Sequence, residues 1–169
     1  MIHLNNIKRY RIAYLLFFAI SLAGCYSNLG PCKGCDAKPF APDVNLRIVD
    51  QASRQDLFLG PHAKYNLSLL RFKHVKNGIM DSVLAPFKVD SATHLLNLRL
   101  NYQTPADTIA VLIGTLKPQK LVIYTSTLNN CCARVVVTEA HFNDSLVYMA
   151  PLDPVLLAKT TNRVTVPVQ

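Results

Sequence analysis

The sequence predicts an all-β domain, an antiparallel β-sandwich, on three observations. Short runs of alternating apolar and polar residues recur from residue 43 onward, the denser runs are rich in β-branched residues, and turn-forming pairs separate them. The chain has 169 residues, enough for one core of ordinary size and hardly two. Half of its residues are hydrophobic and 17% are charged, which places it outside both disordered chains and polytopic membrane proteins.

The first element is an address. Met1 to Arg11 is polar and basic, and Ile12 to Ala23 is apolar apart from Ser21 and a tyrosine hydroxyl. A spanning helix needs roughly 20 apolar residues, so this run is too short to anchor alone and reads as a secretory signal peptide over residues 1–24. It ends in Leu22-Ala23-Gly24-Cys25, which resembles the lipobox of bacterial lipoproteins. The resemblance implies cleavage before Cys25 and acylation of its thiol and amine, and two or more acyl chains make anchoring effectively permanent. Tyr26 follows the cysteine, and no acid precedes Asp36. By the same resemblance, inner-membrane retention and surface export are both disfavoured, and the outer membrane with a periplasm-facing domain is expected.

Residues 25–42 (CYSNLGPCKGCDAKPFAP) carry three Pro and two Gly without periodicity, the composition of a tether. The domain then occupies residues 43–169. Val44, Leu46 and Ile48 alternate with Asn45 and Arg47, Tyr65 to Leu69 alternates likewise, and Leu96 to Tyr102 does so over seven residues. Strict alternation is a strand with one face in a core and one in water. Ile109–Ile113, Leu121–Thr125 and Ala133–Thr138 read as more central strands. Ser145–Met149 and Arg163–Val168 complete the set. Turns are signalled at Gly60-Pro61, Lys76-Asn77-Gly78, Thr104-Pro105, Lys117-Pro118, Asn129-Asn130 and Asn143-Asp144. Only Asp153 to Lys159 could pass as a helix, barely two turns long. Eight or nine short strands at this spacing fit an immunoglobulin-like sandwich first and a small closed barrel second.

With Cys25 taken by lipid, Cys32, Cys35, Cys131 and Cys132 remain. An exported chain meets an oxidising compartment, so one bridge from Cys32 or Cys35 to Cys131 or Cys132 is expected, fastening tether to domain. Free thiols, a metal site and redox chemistry are the alternatives. Cys32-x-x-Cys35 has thioredoxin spacing but lies in a tether before an all-β chain, and adjacent Cys131-Cys132 is poor chelating geometry.

Net charge is +8 for the whole chain and +5 without the leader, with basic residues scattered singly; Arg71, Lys73 and Lys76 are the densest group. A nucleic-acid footprint needs a stripe, so no nucleic-acid partner is expected. Glu139, the only glutamate, lies two residues before His141, a pairing able to bind metal or move protons; a solvated strand edge is the simpler reading. His62, His74 and His94 stand without ligand spacing, and the P-loop, Gly-x-Ser-x-Gly and Gly-x-Gly-x-x-Gly motifs are missing. No cofactor is expected, and neither a catalytic nor a metal site is assigned.

Asp81-Ser82-Val83, Asp90-Ser91-Ala92, Asp107-Thr108-Ile109 and Asp144-Ser145-Leu146 share one pattern. It resembles the O-glycosylation sequon of Bacteroidetes-type bacteria, which implies Ser82, Ser91, Thr108 and Ser145 as acceptors; simple closure of turns is the alternative. The stretch from Asn45 to Phe58, NLRIVDQASRQDLF, is similar to the first strand, turn and Asp-Leu-Phe segment of small Bacteroidetes-type lipoproteins, with Ser53-Arg54-Gln55 where a Gly is usual. That resemblance implies a cell-envelope β-domain without a known activity. The function expected is therefore a lipid-anchored binding module for an envelope protein or glycan, with an envelope hydrolase as the alternative.

Overall fold

The computed structural model describes residues 42–101, 105–129, 133–157 and 161–169. The signal peptide, nearly all of the tether and the five cysteines, Cys25, Cys32, Cys35, Cys131 and Cys132, lie outside these residues. Among the described residues ten strands form: β1 Asp43–Asp50, β2 Leu70–Lys76, β3 Ile79–Leu84, β4 Phe87–Asp90, β5 Leu95–Arg99, β6 Ala106–Ile113, β7 Gln119–Asn129, β8 Ala133–Phe142, β9 Ser145–Met149 and β10 Arg163–Val168. A single α-helical turn among the described residues, α1, is Pro154–Leu157, capped by the Asp153 carboxylate on the Val155 N–H.

The strands make two sheets, β10-β1-β5-β4 and β3-β2-β6-β7-β8-β9. One continuous core lies between them. Val44, Leu46 and Ile48 from β1, Leu96 and Leu98 from β5, and Val164, Val166 and Val168 from β10 meet Phe72, Ile109, Val111, Leu121, Ile123 and Val137 from the larger sheet. Phe87 on β4 stands edge-on to Phe72 on β2, ring centres 5.3 Å apart, and so ties the two layers. This is the expected sandwich. The first and last strands do pair, in parallel, from Asn45↔Arg163 to Asp50↔Val168, yet β10 remains an edge and no barrel closes among the described residues. That single parallel pairing departs from a purely antiparallel sandwich.

The alternating runs at β1 and β5 became strands with the anticipated faces, and β9 and β10 have the anticipated ends. Tyr65 to Leu69 did not. Asn66 accepts the Ser68 N–H on its side-chain oxygen at 2.9 Å and the Leu69 N–H on its carbonyl at 3.0 Å, which closes a 3-10 turn over Leu67–Leu69. A local side-chain bond of this kind competes with a sheet ladder. The strand starts one residue later, where Leu70 and Phe72 point inward. Hairpin turns follow the sequence closely. Asn77 and Gly78 (φ 52° and 79°) join β2 to β3, and Asn143 and Asp144 (φ 48° and 66°) join β8 to β9. Paired positive φ values match the right-handed twist of the flanking strands, and Asn, Asp and Gly reach them most easily.

The two sheets are also joined by one polar side chain. Asn162, just before β10, is buried with φ 50°. Its Oδ1 accepts the buried Val137 N–H of β8 at 3.0 Å, its Nδ2 donates to the Asp43 carbonyl, and its own carbonyl accepts the Asn45 N–H at 2.9 Å. One residue thus satisfies β1 in the small sheet and β8 in the large one. We expect Asn162→Ala to destabilise the domain by about 2 kcal/mol or more, because it orphans the Val137 N–H and puts a Cβ-bearing residue without a local hydrogen bond at positive φ. Asn162→Gly relieves the φ strain but not the orphaned donor. Urea midpoints should therefore fall in the order wild type, Gly, Ala; equal stability of all three would overturn this role.

Candidate functional site

Glu139 and His141 come together on β8, as their spacing anticipated. Glu139 Oε1 bonds His141 Nε2, and the Tyr124 ring on β7 meets the imidazole edge-on at 5.9 Å between centres. The strand is irregular here on both sides, with register shifts at Tyr124/Thr125 and Ala140/His141. Both side chains are partly exposed, 39% for Glu139 and 27% for His141. A carboxylate bonded to an imidazole orients the ring, an arrangement that forms half of an acid–base dyad. A third chemical partner is not assembled from the acids. The described aspartates are engaged elsewhere: Asp50, Asp56, Asp81, Asp90 and Asp153 accept backbone N–H groups in turns, Asp107 pairs with His74, Asp144 with Lys120 and Asp43 with Arg99. No group of three His, Cys, Asp or Glu is gathered for a metal among the described residues.

Of the four hydroxyl residues marked by the sequon, Ser82 lies on β3, Ser91 in the β4–β5 turn and Ser145 at the start of β9, all exposed. Thr108 is half-buried in β6, between Asp107 and the core residue Ile109. Asp107 is itself a buried anchor. It receives the His74 Nδ1 at 3.0 Å and the Asn101 N–H at 2.7 Å, which fixes the approach to β6 against β2.

A concave site that the sequence does not reveal lies over the outward face of β1. It is a hollow of about 410 Å³ whose wall includes Arg47, Arg54, Asp56, His62, His94 and Arg163. Four chain segments build it: β1, the loop from Arg54 to His62, the β4–β5 turn and the start of β10. Asp56 holds the loop down. Its Oδ1 caps the Phe58 and Leu59 N–H groups at 3.0 and 2.8 Å, and its Oδ2 accepts from Arg47 Nε at 3.3 Å. Arg54 has φ 59° and His94 φ 54°; both are left-handed, a conformation less common for arginine than for histidine. No stretch of sequence signals this site, because Arg163 lies over a hundred residues from Arg47 and Arg54 and joins them only when β10 pairs with β1.

A second, larger hollow of about 790 Å³ opens at one end of the sandwich, with Gln51, Lys117, Lys120, Asn143, Asp144 and Gln169 in its wall. Its charges are largely settled, since Lys120 Nζ meets Asp144 at 2.7 Å. Glu139 and His141 line neither hollow. Comparison with known proteins adds nothing to the geometry: no protein-family model, no curated protein and no solved structure matches the chain.

Two turn carboxylates are held below the ordinary value of 3.8. For Asp50 the chief cause is the Ser53 backbone N–H, followed by the Ser53 hydroxyl; for Asp90 it is the Thr93 hydroxyl, followed by the Thr93 N–H. A carboxyl depressed in the folded state contributes stability that is present above the unfolded pKa and lost as pH falls through the folded one. Stability should thus decline as pH drops below about 3.8. In Asp50→Asn/Asp90→Asn, which keeps the Oδ1 acceptor of each residue, that acid limb should flatten. Chemical denaturation midpoints across acid pH measure it; an unchanged limb would refute the assignment.

Proposed function

We propose that this protein is a lipid-anchored cell-envelope binding module, held through Cys25 at the outer membrane with its β-sandwich facing the periplasm. The leader and the Leu22-Ala23-Gly24-Cys25 motif support the anchor and the address. The same exported setting supports a bridge between Cys32 or Cys35 and Cys131 or Cys132, and the exposed hydroxyls Ser82, Ser91 and Ser145 are the sequon positions open to a glycosyltransferase, with Thr108 the least accessible.

The observation that carries the binding reading is strand β3. It is an edge of the six-stranded sheet, and its apolar side chains are open to solvent: Ile79 is 73% exposed and Val83 69%. Edge strands are usually guarded by shortness, proline or charge. β4 has four residues and β10 carries Pro167. β3 has six residues and no proline; its guards are Asp81 and the shift in register opposite Lys73 and Val75. An extended apolar segment of an envelope protein can add to such an edge, its main chain supplying hydrogen bonds and its side chains packing on Ile79 and Val83. The densest basic group, Arg71, Lys73 and Lys76, lies on β2 beside it, so acidic residues flanking the segment are favoured.

Cross-linking and pull-down of the full lipoprotein from its own envelope tests this reading. Val83→Lys, which leaves the core untouched, should reduce capture of the cross-linked protein about tenfold, whereas Leu152→Lys, a fully exposed site away from the edge, should not. Cys25→Ala should move the protein out of the membrane fraction. Equal capture by the two lysine variants would dismiss the edge, and membrane retention of Cys25→Ala would dismiss the anchor.

A further inference from the structure

We propose that the hollow over β1 is an oxyanion site that takes the phosphate group of a phosphate monoester. The argument begins with charge. Three guanidinium groups, from Arg47, Arg54 and Arg163, share the wall with one carboxylate, Asp56. Only Arg47 is paired with it, through Nε at 3.3 Å, so the fork of Nη donors on Arg47 and both whole guanidinium groups of Arg54 and Arg163 have no protein partner among the described residues. Like charges brought together without counter-charges cost stability, and a fold keeps such an arrangement where an anion neutralises it. Guanidinium groups match a tetrahedral phosphate because two parallel N–H bonds reach two of its oxygens, a geometry an ammonium cannot supply.

The second argument is backbone geometry. Arg54 and His94, on opposite sides of the hollow in sequence, are both left-handed, at φ 59° and 54°. Strain of this kind persists where the surroundings over-determine it, and it clusters at ligand sites. Here one strained turn carries a cation to the rim and the other carries an imidazole, a further N–H donor. Gly60 lies beside the His94 ring, and its own φ of 94° is a conformation that glycine adopts at no steric cost. Asp56 acts as a positioning residue. By capping the Phe58 and Leu59 N–H groups while orienting Arg47, it fixes the loop and one guanidinium together. About 410 Å³ accommodates a phosphorylated sugar or the headgroup of a phosphatidic acid, and both present a phosphate monoester.

The site is independent of the β3 edge, on the other sheet, and the two are separable by experiment. The full chain in detergent micelles is titrated calorimetrically with inorganic phosphate, with glucose 1-phosphate and with vesicles of phosphatidylcholine doped with phosphatidic acid. Saturable binding of a soluble phosphate is expected, weakened about tenfold by Arg54→Gln and again by Arg163→Gln, both exposed and unpaired in the fold. Arg54→Lys should recover only part of the loss, because charge is restored without the fork. Binding of glucose 1-phosphate assigns the group to a soluble ester; binding of the vesicles alone assigns it to a lipid headgroup. Absence of saturable binding to all three probes overturns the proposal. So does an equal loss from Lys117→Gln at the far end of the sandwich, which would reduce the effect to general basicity. Capture through β3 is unaffected by either result.

Discussion

The fold depends on how β1 is held. It is the only strand of the small sheet with core residues of its own and neighbours on both sides that come from distant parts of the chain, β5 antiparallel and β10 parallel. Backbone pairing alone would leave that sheet free to slide over the larger one. Asn162 removes the freedom, because one amide side chain is committed to the Val137 N–H across the sandwich while its main chain and Nδ2 hold Asn45 and Asp43. The bond to Val137 is buried, so no water replaces it. The inward register of Val44, Leu46 and Ile48 against Val164, Val166 and Val168 then follows, since a slip of one residue would turn every one of these side chains outward.

How much of this was legible beforehand differs from element to element, for physical reasons. β1, β5 and β9 were readable because their alternation or their turns are local properties of the chain. β3 was not, because a strand exposed on both faces has no buried side to impose a period of two, and β4 was not, because its four residues put only Phe87 against the core. Tyr65 to Leu69 had the period but lost to Asn66, whose side chain satisfies the backbone locally. Asn162 is invisible to pattern reasoning, as its importance lies in two bonds to residues more than twenty positions away. At the level of sites, Glu139 and His141 could be paired from spacing, whereas Arg47, Arg54 and Arg163 could not.

The acids explain why the arginines stand open. Nearly every described aspartate spends its oxygens on backbone N–H groups at a turn or on one specific cation. That use closes hairpins efficiently in a chain short of glycine, yet it leaves few carboxylates to balance a net basic surface. The turn-closing role and the basic hollow are thus two faces of the same composition. Asp56 is where they meet, since it closes a turn with one oxygen and holds a guanidinium with the other.

The parallel pairing of the first and last strands has a mechanical consequence. β1 enters beside the start of β10 and both run the same way, so the chain enters the domain at Asp43 and leaves at Val168, at opposite ends of one ladder. A load applied between the tether side and the far end pulls these two strands lengthwise past each other. The six paired positions then resist together instead of opening one after another like a zipper. For a domain loaded between these two ends, that is the geometry of a coupling made to bear tension.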